Sequence, residues 1–170
     1  MGERLIHPLA PVYTEDSEVL ILGTFPSPQS RRSGFYYGHP QNRFWRVLAE
    51  IFSCSVPREN EEKLIFLHDH RIALWDVLAG CEITGASDSS IRNPVPNDLQ
   101  PLLAAAQIKA VFLTGKKAAA LYDRFQGKSC LLPHFCLPSP SPANCAMSVD
   151  RLVSEYRAIL PYLSEQPCRF

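Results

Sequence analysis

The sequence predicts an α/β protein: a three-layer αβα sandwich around a short, mainly parallel, four-stranded central sheet. Two observations carry that expectation. Four brief runs of aliphatic and β-branched residues, at 19–22, 72–74, 110–113 and 135–137, lack the alternation of a half-exposed strand. That is the pattern of strands covered on both faces. Between them lie segments whose apolar residues recur at helical spacing. At 170 residues the chain suits one domain over 1–170, able to bury about two-thirds of its unfolded surface.

The elements follow in order. After the first strand comes Gly-Thr-Phe-Pro-Ser-Pro-Gln-Ser, residues 23–30, whose two prolines predict a stiff turn rather than a regular helix. Residues 42–52 place Phe44, Val47, Leu48 and Ile51 on one helical stripe, and 59–68 group Leu64, Ile65 and Leu67. Asn97 fits an N-cap for a helix over 98–106. Residues 115–125 are Ala-rich helix material, and 148–163 read as a final amphipathic helix. In such folds ligands sit beyond the carboxyl ends of the strands, which directs attention to the loops that follow each strand.

Composition narrows the function classes. Seventeen basic residues balance seventeen acidic ones, which argues against electrostatic coating of nucleic acid but leaves room for a local basic patch. No apolar run approaches the roughly 20 residues of a membrane span, and the N-terminal segment lacks a signal-peptide core. Cys54, Cys81, Cys130, Cys136, Cys145 and Cys168 form no Cys-x-x-Cys pair, so reduced thiols in an intracellular protein are expected. His68-Asp69-His70 resembles a metal fragment, but i, i+2 spacing at a helix end points the histidines apart, and a solvated terminus is the better fit. No hydrolase elbow, phosphate loop or zinc-helix signature is present. No metal or cofactor is expected.

Two loops carry candidate chemistry. Arg-Arg-Ser-Gly-Phe-Tyr-Tyr-Gly-His-Pro-Gln-Asn-Arg-Phe-Trp, residues 31–45, interleaves aromatic and basic residues, as a site that stacks a base and neutralises phosphates would. It equally fits a loop whose aromatics plug the core while its arginines face water. Leu-Pro-Ser-Pro-Ser-Pro-Ala-Asn, residues 137–144, is stiffened by three prolines and offers hydroxyls and amides to anionic oxygens. It also fits a plain connector before the last helix. Two such turns on neighbouring strands would face one cleft. Asp76 ends the second strand, where it could line that cleft or cap a helix.

The set Gly-Thr-Phe-Pro-Ser-Pro, Gly-Phe-Tyr-Tyr-Gly-His-Pro-Gln-Asn-Arg-Phe-Trp, Ala-Leu-Trp-Asp-Val-Leu, Cys-Glu-Ile-Thr-Gly-Ala-Ser-Asp-Ser-Ser-Ile and Leu-Pro-Ser-Pro-Ser-Pro-Ala-Asn resembles the uracil-DNA glycosylase superfamily, specifically its hypoxanthine-DNA (deoxyinosine) glycosylase branch. The resemblance runs from residue 19 to 144. It implies a monofunctional glycosylase of base excision repair that flips a deaminated base out of damaged DNA and hydrolyses its N-glycosidic bond with water. Hypoxanthine is the first expected base, and uracil or xanthine the alternatives. By the same resemblance Gly23, Thr24, Phe25, Pro26 and Ser27 floor the base pocket, with Phe25 against the base. Tyr37 is a wall, Asn42, which also fits a helix N-cap after Pro40, orients the water, and Ser139, Pro140, Ser141, Pro142 and Asn144 grip the DNA backbone. It implies a monomer, in the cytoplasm or nucleoid of a bacterium or the nucleus of a eukaryote, with no membrane partner.

Two departures stand out. The first turn carries Thr24-Phe25 where other branches place an Asn, Asp or Glu, so the expected chemistry moves to Asn42. After the third strand, where relatives carry an Asn, this chain has Thr114, which presents one hydroxyl instead of an amide's donor and acceptor. A binding relative with weak catalysis, and a small-molecule domain on the same scaffold, remain open readings.

Overall fold

The computed structural model describes residues 2–165. Its elements run β1 (Glu3–Ile6), β2 (Val19–Gly23), α1 (Pro28–Ser33), α2 (Phe44–Ile51), α3 (Asn60–Asp69), β3 (Ile72–Asp76), β4 (Leu78–Ile83), β5 (Arg92–Pro96), α4 (Gln100–Ala105), β6 (Ala110–Thr114), α5 (Lys116–Phe125), β7 (His134–Leu137) and α6 (Val149–Tyr156), with 3₁₀ turns at Asp88–Ser90 and Arg157–Tyr162. The four strands expected from sequence form one parallel sheet in the order β3-β2-β6-β7. The chain steps from β2 to β3 on one side and then to β6 on the other. That reversal creates a crevice at the carboxyl ends of the central strands.

Strand alternation divides the core between the two faces. Val19, Ile21, Ile72, Leu74, Ala110 and Phe112 pack in one apolar cluster with Phe44, Val47 and Leu48 of α2, Phe66 and Leu67 of α3, and Leu152, Val153 and Tyr156 of α6. Leu20, Leu22, Ala73, Val111 and Leu113 pack in a second cluster with Leu102 of α4 and Ala118, Leu121 and Tyr122 of α5. The same alternation puts the last residues of three strands, Gly23, Asp76 and Thr114, on the α2 side of the sheet, just past the apolar core.

Several local expectations change. The prolines of 23–30 do not prevent a helix: Ser27 caps α1 by accepting from the Ser30 amide, and Pro28 occupies the first turn, where no N–H is needed. Helix α2 begins at Phe44 rather than at residue 42. Asn97 does not cap α4, which starts later; its buried side chain donates instead to the Asp76 carbonyl. The final helix becomes a 3₁₀ turn after Tyr156, with Pro161 inside that turn removing a helical donor. The antiparallel sheet β1-β4-β5 is an addition to the expectation. Its short strands, rich in Gly, Glu, Asn and Pro, carry little β signal of their own. Among the described residues no group of His, Cys, Asp and Glu is placed to hold a metal, and no helix is long and apolar enough to cross a membrane. Cys168 lies outside the described residues.

Candidate active site

A cavity of about 640 Å³ opens at the carboxyl edge of the parallel sheet. Every site residue expected from sequence lines it: Gly23, Thr24, Phe25, Pro26 and Ser27 from the turn after β2, Tyr37 and Asn42 from the loop before α2, Thr114 at the end of β6, and Ser139, Pro140, Ser141, Pro142 and Asn144 after β7. The two Pro/Ser turns do share one cleft. Asp76 and Asp88 also line it.

The deepest part is polar. A Cβ on Gly23 would lie 2.6 Å from Asp76 Oδ1, 3.3 Å from the Tyr37 hydroxyl and 3.5 Å from Thr114 Oγ1. Only glycine admits these groups so close to the strand end. Tyr37 is held firmly. Its ring stacks on Phe44 with centroids 3.8 Å apart, its hydroxyl shares a 2.9 Å hydrogen bond with Thr114, and its backbone takes φ 53°, a left-handed conformation unusual for tyrosine. Burial, reinforced by the Asp76 carboxylate, pushes the Tyr37 phenol far above its ordinary value, so it stays a neutral hydroxyl. Thr114 Oγ1 in turn reaches the Leu22 carbonyl at 3.4 Å.

Asp76 is the buried carboxylate of this floor. Its Oδ2 accepts from His7 Nε2 at 2.8 Å, and the two side chains are 6% and 3% exposed. His7 also meets the edge of Phe25, centroids 5.7 Å apart. Phe25 carries the Arg31 guanidinium 5.9 Å from its ring centre, and Arg31 is tied to the Pro26 carbonyl at 2.9 Å. Asp88 stands in the Ser-Asp-Ser-Ser turn. Desolvation raises its carboxyl pKa; a hydrogen bond from Thr24 opposes this, the Asp76 carboxylate adds to it, and Lys117 acts against it.

Asn42 sits at the lip, half-buried, and its Oδ1 accepts from the Phe44 amide at 2.9 Å. It therefore holds the start of α2 and faces the cavity at once. The second carbonyl lone pair and the amide N–H₂ are further hydrogen-bonding positions of this side chain.

Arg43 fits neither sequence reading of its loop, a cation neutralising phosphates or one facing water. Its guanidinium is spent on the Pro/Ser loop: it donates to Ser141 and Asn144 carbonyls at 2.9 Å each, to Met147 O, and through Nε to Pro140 O at 3.4 Å. Its backbone N–H donates to Pro140 O as well. The loop is further tied by its own side chains. Ser139 Oγ accepts from the Ser141 amide, Ser141 Oγ accepts from the Ala143 amide, and Asn144 Nδ2 donates to Ser139 O. Those two amides are thus engaged within the loop, while the Ser139 and Ser141 hydroxyls keep a proton each to donate.

Sequence reasoning missed His7 altogether and left Asp76 between lining the cleft and capping a helix, of which the structure shows the first. The signal for Asp76 was readable: a carboxylate ending a strand whose register partner is Gly23. His7, one histidine before a proline, carried none.

Comparison with known proteins bears on the family and the fold. Residues 10–163 match the family model described as the uracil DNA glycosylase superfamily. A hypoxanthine DNA glycosylase of Methanosarcina acetivorans is 34% identical over 150 residues, covering 87% of this chain and 93% of the relative. One of Methanosarcina barkeri is 37% identical over 110 residues, covering 64% and 70%. A solution NMR structure from Methanosarcina acetivorans, described there as a candidate uracil DNA glycosylase, superposes with a TM-score of 0.74 at 30% identity, covering 89% of this chain and 96% of that one. On the strength of the family match and the shared fold, this chain belongs to the uracil-DNA glycosylase superfamily.

Proposed function

We propose that the protein is a monofunctional DNA glycosylase that hydrolyses the N-glycosidic bond of deaminated bases, deoxyinosine first. The observation that supports this most is the shared cavity: Asn42, the Gly23–Ser27 turn, Asp76 and the Ser139–Asn144 loop all line it. The relatives that carry the name hypoxanthine DNA glycosylase span most of the chain.

In this reading the duplex lies across the Pro/Ser loop, whose serine hydroxyls donate to phosphate oxygens while Arg43 holds the loop's shape from behind. A base rotates out of the stack at a cost of a few kcal/mol, least where pairing is already poor. It enters beside Phe25. Its lactam edge, an N–H donor next to a carbonyl acceptor, meets the Asp76 carboxylate and the Tyr37 and Thr114 hydroxyls over Gly23. The bond between C1′ and the base nitrogen breaks, its electron pair leaves with the base, and water oxygen bonds to C1′. Asn42 orients that water and places its amide dipole toward the positive charge developing on the sugar. An amide is a poor proton acceptor, so positioning and electrostatics supply the rate, and the water's proton passes to solvent.

Duplexes bearing single inosine, uracil or xanthine, incubated with the protein and then cleaved with alkali at abasic sites, test the reading. Excision of inosine faster than of the other two is the expected result. A second reading, a lesion-binding relative with little catalysis, is favoured by the engagement of Asn42 Oδ1 with Phe44; binding to an abasic analogue without any excision would select it.

A further inference from the structure

We propose that His7, one residue past β1, is a positioning residue that fixes Asp76 as the acceptor reading the lactam N–H of the flipped base. The inference rests on the base-pocket reading above and adds the device that sets its selectivity. His7 lies ahead of residues 10–163, the span matched by the family model.

The tautomer follows from the partners. His7 Nδ1 accepts from the Leu9 amide at 3.2 Å, so in the neutral ring Nε2 bears the hydrogen and donates it to Asp76 Oδ2 at 2.8 Å. The ring is itself wedged edge-on to Phe25 and tilted against Tyr36, with centroids 5.7 and 6.1 Å away. Its chain end is pinned by the His7 amide donating to the Ala79 carbonyl at 2.8 Å. One carboxylate oxygen is therefore occupied and the carboxylate plane fixed. The other oxygen, Oδ1, is left over Gly23 in the cavity.

A carboxylate fixed this way can accept and cannot donate. Hypoxanthine presents an N1–H donor at the edge that would meet it. Adenine and unsubstituted purine present a lone pair at N1, and two buried acceptors facing each other forfeit a hydrogen bond and leave both desolvated. A polar site built for one donor rejects the analogue lacking it far better than an apolar pocket could.

The test compares single-turnover excision of deoxyinosine with that of deoxynebularine, the purine nucleoside lacking both N1–H and the 6-oxygen, in wild type, His7→Phe and His7→Gln. Phenylalanine keeps a ring against Phe25 and Tyr36 but has no donor; glutamine restores an N–H. In His7→Phe the inosine rate is expected to fall about 10- to 100-fold, the size of one charge-assisted hydrogen bond. The nebularine rate stays near wild type, so the preference narrows, and His7→Gln recovers part of it. Equal losses on both substrates, or no loss on either, overturn the positioning role. Long-range nitrogen–proton spectra of the His7 ring give an answer independent of activity. The Nε2–H tautomer is expected; an Nδ1–H tautomer overturns the inference even in an active enzyme. If the wild type excises no lesion while the Nε2–H tautomer is present, the glycosylase reading fails and not the pairing of His7 with Asp76.

Discussion

The two ends of β2 carry opposite kinds of polar chemistry. Just before the amino end, Glu18 is 4% exposed and fully engaged. Its carboxylate accepts from Lys109 Nζ at 3.0 Å, from Arg71 at 3.4 Å and from the Ser164 amide at 2.7 Å, and its backbone pairs with Arg71 and Lys109. At the carboxyl end, Gly23 has a carboxylate oxygen and two hydroxyls gathered over it, facing a cavity. One end spends its polar groups on each other and fastens the segment before β2 to the loops around it. The other keeps hydrogen-bonding capacity open for something that arrives. A buried polar cluster satisfied from within is scaffold, whereas one left partly open in a concave pocket has a ligand to receive.

Substitutions at the two ends should therefore separate activity from stability. The largest expected effect is at the open end: Asn42→Ala should lower single-turnover excision by about 100- to 1,000-fold, the scale of losing one preorganised polar group at the reacting centre. Its melting temperature should fall only by the few degrees that a lost helix-start contact costs, on the order of 1 kcal/mol. At the closed end the pattern inverts. Burial pushes the Glu18 carboxyl up, but the Ser164 hydroxyl and amide and the Lys109 charge outweigh it and bring its pKa down to about 2. Because the folded value lies below the unfolded one, the stabilisation is present above about pH 4.5 and is lost as the pH falls toward 2. Glu18→Gln should cost about 3 kcal/mol at neutral pH and flatten that acid limb in denaturant titrations, with excision at 25 °C unchanged.

Two smaller changes sharpen the contrast. Arg43→Gln removes most of the donors that gather the Pro140, Ser141, Asn144 and Met147 carbonyls. Affinity for an abasic-site analogue should drop about 10-fold or more, with a visible loss of thermal stability, because buried carbonyls are left unpaired. Gly23→Ala places a methyl 2.6 Å from Asp76 Oδ1. Since His7 restrains that carboxylate, excision should fall about 10-fold while DNA affinity, measured by fluorescence anisotropy, holds.

Much of this contrast was legible before any coordinates. The sheet was readable because buried parallel strands are short apolar runs, and all four were found where expected. The joint placement of the two Pro/Ser turns was readable too, since each follows a strand of one sheet. The Pro28 helix was missed because proline at the first turn costs nothing there, so composition misleads about where a helix begins. The antiparallel strands were missed because β1, β4 and β5 are short and carry Gly, Glu, Asn and Pro, which give little β signal even where Leu78, Cys81 and Ile83 are buried. Arg43 was left between phosphate and water because a cation beside aromatics looks the same in sequence whether it faces phosphate, water or loop carbonyls. His7 was invisible because its partner, Asp76, is 69 residues away in the chain. Long-range side-chain pairs of this kind leave no local pattern to read.

The most direct test of the central claim, that the open end of β2 holds a base for an attacking water placed by Asn42, is single-turnover cleavage of a deoxyinosine duplex by wild type and Asn42→Ala, with affinity for an abasic analogue measured on both. Excision by wild type, its loss in the variant and equal affinity in the two proteins is the predicted result. Equal excision by both proteins would contradict it.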